Sequence, residues 1–395
     1  MRNKTMFVWL ALALALLALV SPAAAGASAL DGYEYYQKIE YAACDQEVYQ
    51  QDIVVHRTTG TAYEETVGDL KVWHVYVGDR CKSDYGDVRF TDASGNALAY
   101  YLWPDYDSSS ARFCVRLEGA DAAGELLVWY GNPGATTTSD GDATYILYDQ
   151  FDEAALNSTK WSTRSGATAT LASGYCTLGG IDGVRLTSKD PLPDDCIVEV
   201  ALNPLSSMWV GVVVRDQNYL PYEYSKGYMF SYYTPSAPFD SSRLYYTDGS
   251  NYIQLDTAPK VSANTRIDRV ITVAGDDFRD DNGLSATHST WSSGRLSFVG
   301  GPKNQAVLVY SVVVRAYSAT PPAAITFSGE RETASPPFTA FTATPITGRA
   351  PLTVQFTDLS GGLTTSWHWT SATGPPVMTR TRPIPTPSPA STPSP

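Results

Sequence analysis

The chain of 395 residues is short of positive charge: 28 Lys and Arg stand against 41 Asp and Glu, a formal net charge of −13. That balance excludes nucleic acid as a partner, because phosphate contacts need a basic surface. Histidine is scarce, and His56, His74, His288 and His368 have no second ligand at metal-site spacing, which leaves a zinc centre without support. None of the five cysteines forms a Cys-x-x-Cys pair, so a thiol-redox or zinc-ribbon reading falls away. There is no Gly-x-Ser-x-Gly elbow of a serine hydrolase. Nor is there a Glu-x-Asp-x-x-Glu strand, the pattern that would place two carboxylates across one glycosidic bond, ~5–9.5 Å apart. Glu199 stands alone on its strand, and Glu153 adjoins Asp152 in a loop-like opening. After Val20 no apolar run is long enough to span a membrane, and no 3.6-residue period persists.

What is present reads as an exported all-β protein. Arg2 and Lys4 precede the apolar run Met6–Val20 and the small residues Ser21-Pro22-Ala23-Ala24-Ala25. This is the layout of a secretory signal peptide, residues 1–25, with cleavage expected after Ala25 and Ala29 as the other candidate. The run is below the ~18–20 residues of a membrane span, so no membrane insertion is expected after cleavage. Tyr 26, Trp 9, Gly 30 and Pro 25 against Met 5 is a strand- and turn-rich composition.

From Tyr33 to Tyr148 short strand candidates follow one another: Leu70–Val77, Asp87–Thr91, Ala97–Leu102, Ala111–Leu117 and Glu125–Tyr130. Ser94-Gly95-Asn96 marks a hairpin between two of them. Three segments carry more than pattern: Asp84–Asp92 (DYGDVRFTD), Ala111–Leu117 (ARFCVRL) and Val128–Pro133 (VWYGNP). With Tyr100-Tyr101-Leu102 they resemble the extracellular domain of unknown function 2341 (DUF2341), here residues 31–147. In that family the position of Cys114 is commonly Trp, which implies a buried apolar site. No activity comes with the resemblance.

Tyr148-Asp149-Gln150-Phe151-Asp152, Leu156 and Lys160-Trp161 open a second unit, residues 148–329, that resembles concanavalin-A-like (laminin-G-like) sandwiches. Trp209–Val214, Tyr228–Tyr233, Arg243–Tyr246 and Val307–Tyr317 are its strand candidates, and Val210–Val214 reads as buried on both faces. After a linker, 330–337, the stretch 338–369 resembles the first half of an immunoglobulin-like PKD module. The matching residues are Phe341–Pro345, Gly348–Asp358 and Ser366–Trp369. A Pro/Thr/Ser-rich tail, 370–395, stands where the module's second half is due and is expected to be disordered. Read one base back, its codons permit Asp-Phe-Gly-Asp-Gly and later segments of such a module, so the tail reads as a frameshifted one.

Site candidates are few. The acidic loop with Asp276, Asp277, Asp280 and Asp281 offers oxygen ligands of the kind calcium takes, although it cannot be an EF-hand, and a solvated turn is the plainer reading. Among Tyr219, Tyr222, Tyr224, Tyr228, Phe230, Tyr232 and Tyr233, alternation sends Tyr228, Phe230 and Tyr232 to one face. That leaves Tyr222 and Tyr224 as sugar-stacking candidates, weighed against ordinary packing. Asn157-Ser158-Thr159 is a glycosylation sequon. Export makes disulfides the default, and the expected pairs are Cys44–Cys81 and Cys176–Cys196, with Cys114 reduced and buried among Phe113 and Val115. Together these features favour a secreted or cell-surface, non-catalytic tandem of β-sandwiches for adhesion or glycan binding. Its partner would be an extracellular polysaccharide or surface glycoprotein, with calcium as an optional ion. The rivals are a polysaccharide-active hydrolase with an unrecognised site and a purely structural spacer.

Overall fold

The structure is a computed structural model that describes residues 30–172, 174–180, 183–205, 209–217, 225–300, 306–333, 341–344, 355–358, 366–369 and 378–381. The signal segment 1–25 lies outside them. Among the described residues strands dominate, and the only helical turns are Gly78–Arg80 and α1 (Gly141–Thr144). The all-β reading is correct.

The first sandwich opens with β1 (Tyr35–Tyr41), β2 (Val48–His56), β3 (Tyr63–Val67) and β4 (Leu70–Tyr76). It continues with β5 (Arg89–Asp92), β6 (Tyr100–Leu102), β7 (Ser110–Glu118) and β8 (Gly124–Tyr130). The second begins with β9 (Leu147–Asp149), β10 (Trp161–Thr163), β11 (Thr168–Leu171), β12 (Cys176–Gly179) and β13 (Arg185–Ser188). Then come β14 (Cys196–Asn203), β15 (Trp209–Asp216), β16 (Lys226–Tyr233), β17 (Ser242–Asp248) and β18 (Tyr252–Ala258). Its last strands are β19 (Ile267–Ala274), β20 (Asp277–Asp280), β21 (Ser285–Thr287), β22 (Arg295–Gly300) and β23 (Val307–Ala316). The chain ends with β24 (Ala324–Phe327), β25 (Arg331–Glu332), β26 (Phe341–Thr344), β27 (Gln355–Asp358), β28 (Ser366–Trp369) and β29 (Met378–Thr381).

Four sheets make two sandwiches. The first sheet runs β24-β1-β8-β5 with β25 also beside β1, and the second runs β3-β4-β2-β7-β6. The third runs β10-β13-β22-β15-β16-β17-β18, and the fourth β11-β12-β23-β14-β19-β20-β21 with β9 beside β23. Strand alternation builds both cores. In β7, Ala111, Phe113, Val115 and Leu117 line the core beside Trp73 and Val75 of the same sheet, opposite Phe90 of the first. In β16, Tyr228, Phe230 and Tyr232 face Val198, Val200, Val312 and Val314 across the second sandwich.

The expected boundary at 329/330 meets a chain that turns back. β24 pairs with β1 through Ile39↔Phe327 and Glu40↔Thr326, and β25 pairs through Tyr35↔Glu332. Residues 324–332 therefore complete the first sandwich after the chain has built the second. β28 pairs with β29, so the stretch expected to be disordered contains an extended segment whose Thr379 and Thr381 suit a strand. The remainder of 370–395 lies outside the described residues.

The two sandwiches stack through the second and fourth sheets. Asp52 and Arg112 on the outward face of the second meet Glu199 and Arg315 on the outward face of the fourth. Arg315 bonds Asp52 at 3.0 Å and Glu199 at 2.5 Å, and Arg112 bonds the same two at 2.9 and 3.4 Å. Arg315 and Asp52 are 0 % and 2 % exposed. Burial works against the Asp52 carboxylate, but Arg112 and Arg315 outweigh it and hold its pKa below the ordinary value.

Both expected disulfides are overturned, and all five cysteines are free thiols. Cys176 pairs with Val309 and Cys196 with Ala316, on opposite sides of β23. Those positions are about 23 Å apart along the strand, whereas a bridge needs Cα atoms within ~7 Å. Cys44 lies just before the start of β2, while Cys81 follows β4, whose exit Val77 bonds His56 at the far end of β2. That separates them by about 26 Å of strand. Cys114 is buried, but on the face opposite Phe113 and Val115: it packs with Tyr101, Tyr145 and Val313 between the sandwiches. Burial pushes its thiol up to about 12, and Cys81, Cys176 and Cys196 likewise.

Candidate functional site

One face of the third sheet is turned away from the core, and two cross-strand rows define it. Thr187, Ser297, Val213, Met229, Tyr245 and Gln254 are directly opposite one another through β13, β22, β15, β16, β17 and β18. Two residues along, Arg185, Val299, Gly211, Ser231, Arg243 and Thr257 form the parallel row. Residues opposite in an antiparallel ladder share a face; most of these side chains are buried, with a polar group around Asp216 and an aromatic group around Trp209.

The polar half centres on Asp216. A bulge at Arg215, whose φ is 51°, interrupts the ladder between Val213 and Asp216 and returns the Asp216 side chain to this face. Its Oδ2 accepts from Ser297 Oγ at 2.6 Å and lies 3.5 Å from Arg185 Nη1. Its Oδ1 accepts from the Lys226 amide at 3.1 Å. Thr187 and Ser297 share a hydrogen bond of 2.8 Å, and Arg185 Nη2 donates to Ser225 Oγ at 2.7 Å. Arg185 is 4 % exposed and Asp216 0 %. These donors satisfy both oxygens of the buried carboxylate.

The aromatic half centres on Trp209. A Cβ at Gly211 would lie 3.1 Å from Trp209 Cζ3 and 2.6 Å from Val299 Cγ2, so only glycine lets the indole rest on the strand. Tyr233 lies 6.2 Å from Trp209, Phe239 4.8 Å from Tyr233, and Tyr252 5.8 Å from Tyr245, centroid to centroid. Arg243 sits 4.2 Å over the Phe239 ring and donates to the Tyr245 hydroxyl at 3.4 Å. Burial, and then the bond to the Tyr245 hydroxyl, raise the Tyr233 phenol pKa, so the Tyr233 hydroxyl stays neutral at physiological pH. Phe239 and Tyr252 are exposed.

Of the residues expected from sequence, Tyr222 and Tyr224 lie outside the described residues. The connection that carries them leaves β15 at Asp216 and re-enters β16 at Lys226, beside the polar half. Tyr228, Phe230 and Tyr232 belong to the core. The acidic loop expected to offer calcium ligands is divided between two turns. Asp276 is in the β19–β20 turn, and Asp277 bonds Thr287 at 2.6 Å. Asp280, about 10 Å further along β20, bonds Tyr232 at 2.8 Å, and Asp281 takes the Val270 amide. The four carboxylates serve two different turns, and no group of three metal-ligating side chains exists among the described residues. Asn157 opens a surface turn, its Oδ1 accepting from Thr159 at 2.7 Å. Glu199, the lone strand carboxylate, is tied to Arg112 and Arg315; Asp152 and Glu153 are exposed.

Arg185, Asp216, Trp209, Arg243 and Tyr245 were not identified from sequence. Gly211 within an otherwise β-branched strand was the available signal, since a strand glycine often marks a close approach. The histidines also proved less scattered than expected. β2 and β4 run parallel, which brings His56 Nε2 within 2.9 Å of His74 Nδ1, with Glu65 3.3 Å from His74 Nε2.

Residues 84–164 match the family described as domain of unknown function (DUF2341), and the match runs past the expected end of the first unit into β10. No curated protein sequence matches the chain. Similar solved structures include the carbohydrate-binding module CBM66 from Bacillus subtilis, at 15 % identity and TM-score 0.34, covering 40 % of this chain and 98 % of that one. A protein of unknown function with a galectin-like fold, also from Bacillus subtilis, is 12 % identical with TM-score 0.36 and covers 44 % and 96 %. The exoplasmic/lumenal domain of VIP36, in a Ca2+/Man3GlcNAc-bound form, is 11 % identical with TM-score 0.31 and covers 42 % and 93 %.

Proposed function

We propose that this chain is a secreted or surface-displayed, non-catalytic glycan-binding protein whose binding face is the outward face of the third sheet. The observation that carries the reading is the Arg185–Asp216 pair, buried with its hydroxyl partners on the sheet face opposite the main core, the face that also carries the partly exposed Trp209. Burying two charges costs several kcal/mol per ion before pairing returns part of it, and a merely solvated face has no need of such a pair. A saccharide matches both halves. Its C–H face stacks on an aromatic ring, and its hydroxyls both donate and accept against Asp, Arg, Ser and Tyr groups. Tyr222 and Tyr224, in the connection from Asp216 to Lys226, would be further stacking residues. The partner is then an extracellular polysaccharide or surface glycoprotein, and adhesion is the role such binding serves.

A glycan array combined with a reducing-end release assay tests this on the whole chain. Retention of a defined glycan without release is the expected result. Release of reducing ends would replace the reading with a hydrolase, and silence in both assays would leave a structural spacer.

A further inference from the structure

The core-facing stripe of β1 reads Tyr35, Gln37, Ile39 and Tyr41, and its three apolar members pack on the first core. Gln37 is the exception, yet it is only 5 % exposed. A buried amide is costly unless hydrogen-bonded. Its Nε2 donates to the Tyr76 carbonyl at 2.6 Å and to the Tyr130 hydroxyl at 3.0 Å. That hydroxyl donates to Glu330 Oε2 at 2.7 Å, and Glu330 pairs with Arg80. Arg80 also lies 4.5 Å over the Tyr35 ring.

Beside Gln37 the ladder opens. β24 pairs with β1 at Ile39–Tyr41 and β25 at Tyr35–Tyr36, and Ser328-Gly329-Glu330 span the interval between them. The result is a groove of about 440 Å³ at the end of the first sandwich, within the ~300–1,000 Å³ of small-molecule sites. Gln37 forms its floor, Thr59 and Thr61 one lip, and Ser328 the other. Among the described residues Arg80 and Glu330 are the only charged ones lining it, and they cancel each other. An anionic ligand would meet Glu330 and a cationic one Arg80. The remaining polar groups are an amide and hydroxyls, which suit a neutral ligand rich in hydrogen-bonding groups.

We propose that this groove is a second saccharide site, specific for neutral sugars and independent of the third-sheet face. It would make one chain bivalent for glycan.

The test is titration of the full chain with lactose, maltose, cellobiose and N,N′-diacetylchitobiose, with glucuronate as the charged control, followed by amide chemical shifts. At least one neutral disaccharide should shift the 59–62 and 328–330 amides saturably, in wild type and in Trp209→Ala alike, while glucuronate does not. Thr61→Trp, on an exposed lip, should weaken these shifts at least tenfold with an unchanged melting temperature. Glu330→Gln, which frees Arg80, should gain glucuronate binding. The proposal is overturned if no neutral disaccharide moves these amides, if the shifts survive Thr61→Trp, or if they vanish in Trp209→Ala. Because that last variant disables the other face, failure here is distinguishable from failure of the main reading.

Discussion

Arg315 shows how much a single residue holds. It is wholly buried between the sandwiches and neutralises carboxylates from both, Asp52 and Glu199. Arg315→Met would leave those carboxylates with Arg112 alone, and breaking a buried pair typically costs ~3–5 kcal/mol. Urea unfolding of the variant should show a loss of that size. A loss below about 1 kcal/mol would mean that Arg112 suffices. The histidine pair gives a pH dependence. Burial, then His74, lower the His56 pKa, and burial lowers that of His74 against the pull of Glu65. Unfolded histidine titrates near ~6.5. A folded pKa below that value means that the stabilising contribution is fully present above about pH 6.5 and is lost as pH falls through the lowered folded values. Melting temperature should therefore drop more steeply below pH 6.5 in wild type than in His56→Gln; parallel curves would remove the pair as the cause.

At the scale of the element, β15 decides the binding face. Gly211→Ala places a methyl 3.1 Å from the Trp209 ring and 2.6 Å from Val299. It should tilt the indole, weaken glycan retention at least tenfold and cost about 1–3 kcal/mol of overpacking. Tyr222→Ala with Tyr224→Ala should weaken retention on a polysaccharide column while leaving the melting temperature nearly unchanged; a large drop in stability would make them packing residues. Much of this was legible locally. The alternation of Tyr228, Phe230 and Tyr232 and the DUF2341 segments follow from neighbours in sequence. The site did not, because it is made by register. Arg185 and Asp216 meet only because β22 lies between β13 and β15 and pairs with both. His56 and His74 meet only because β2 and β4 pair in parallel, a pairing that no local signal announces. The cysteines misled for the same reason: nearness in sequence says nothing of which end of a strand each flanks.

The whole molecule is a clasped pair rather than beads on a string. The chain builds the first sandwich, then the second, then returns with β24 and β25 to finish the first. A chain ending at residue 319 should therefore have a less stable first sandwich, seen as a lower melting temperature and faster proteolysis within 30–130. Equal stability would make the returning strands ornamental. The coding DNA tests the tail: restoring one base near the Trp369 codon should open a frame that continues the PKD-like module, and a stop or unrelated sequence there would refute it. The central claim is glycan binding by the face that carries Trp209, Arg185 and Asp216. Its most direct measurement is equilibrium binding of the full chain to its best array glycan, for wild type and Trp209→Ala in parallel. The expected result is saturable wild-type binding that weakens at least tenfold in the variant at equal melting temperature. Equal binding by the two proteins would contradict the account.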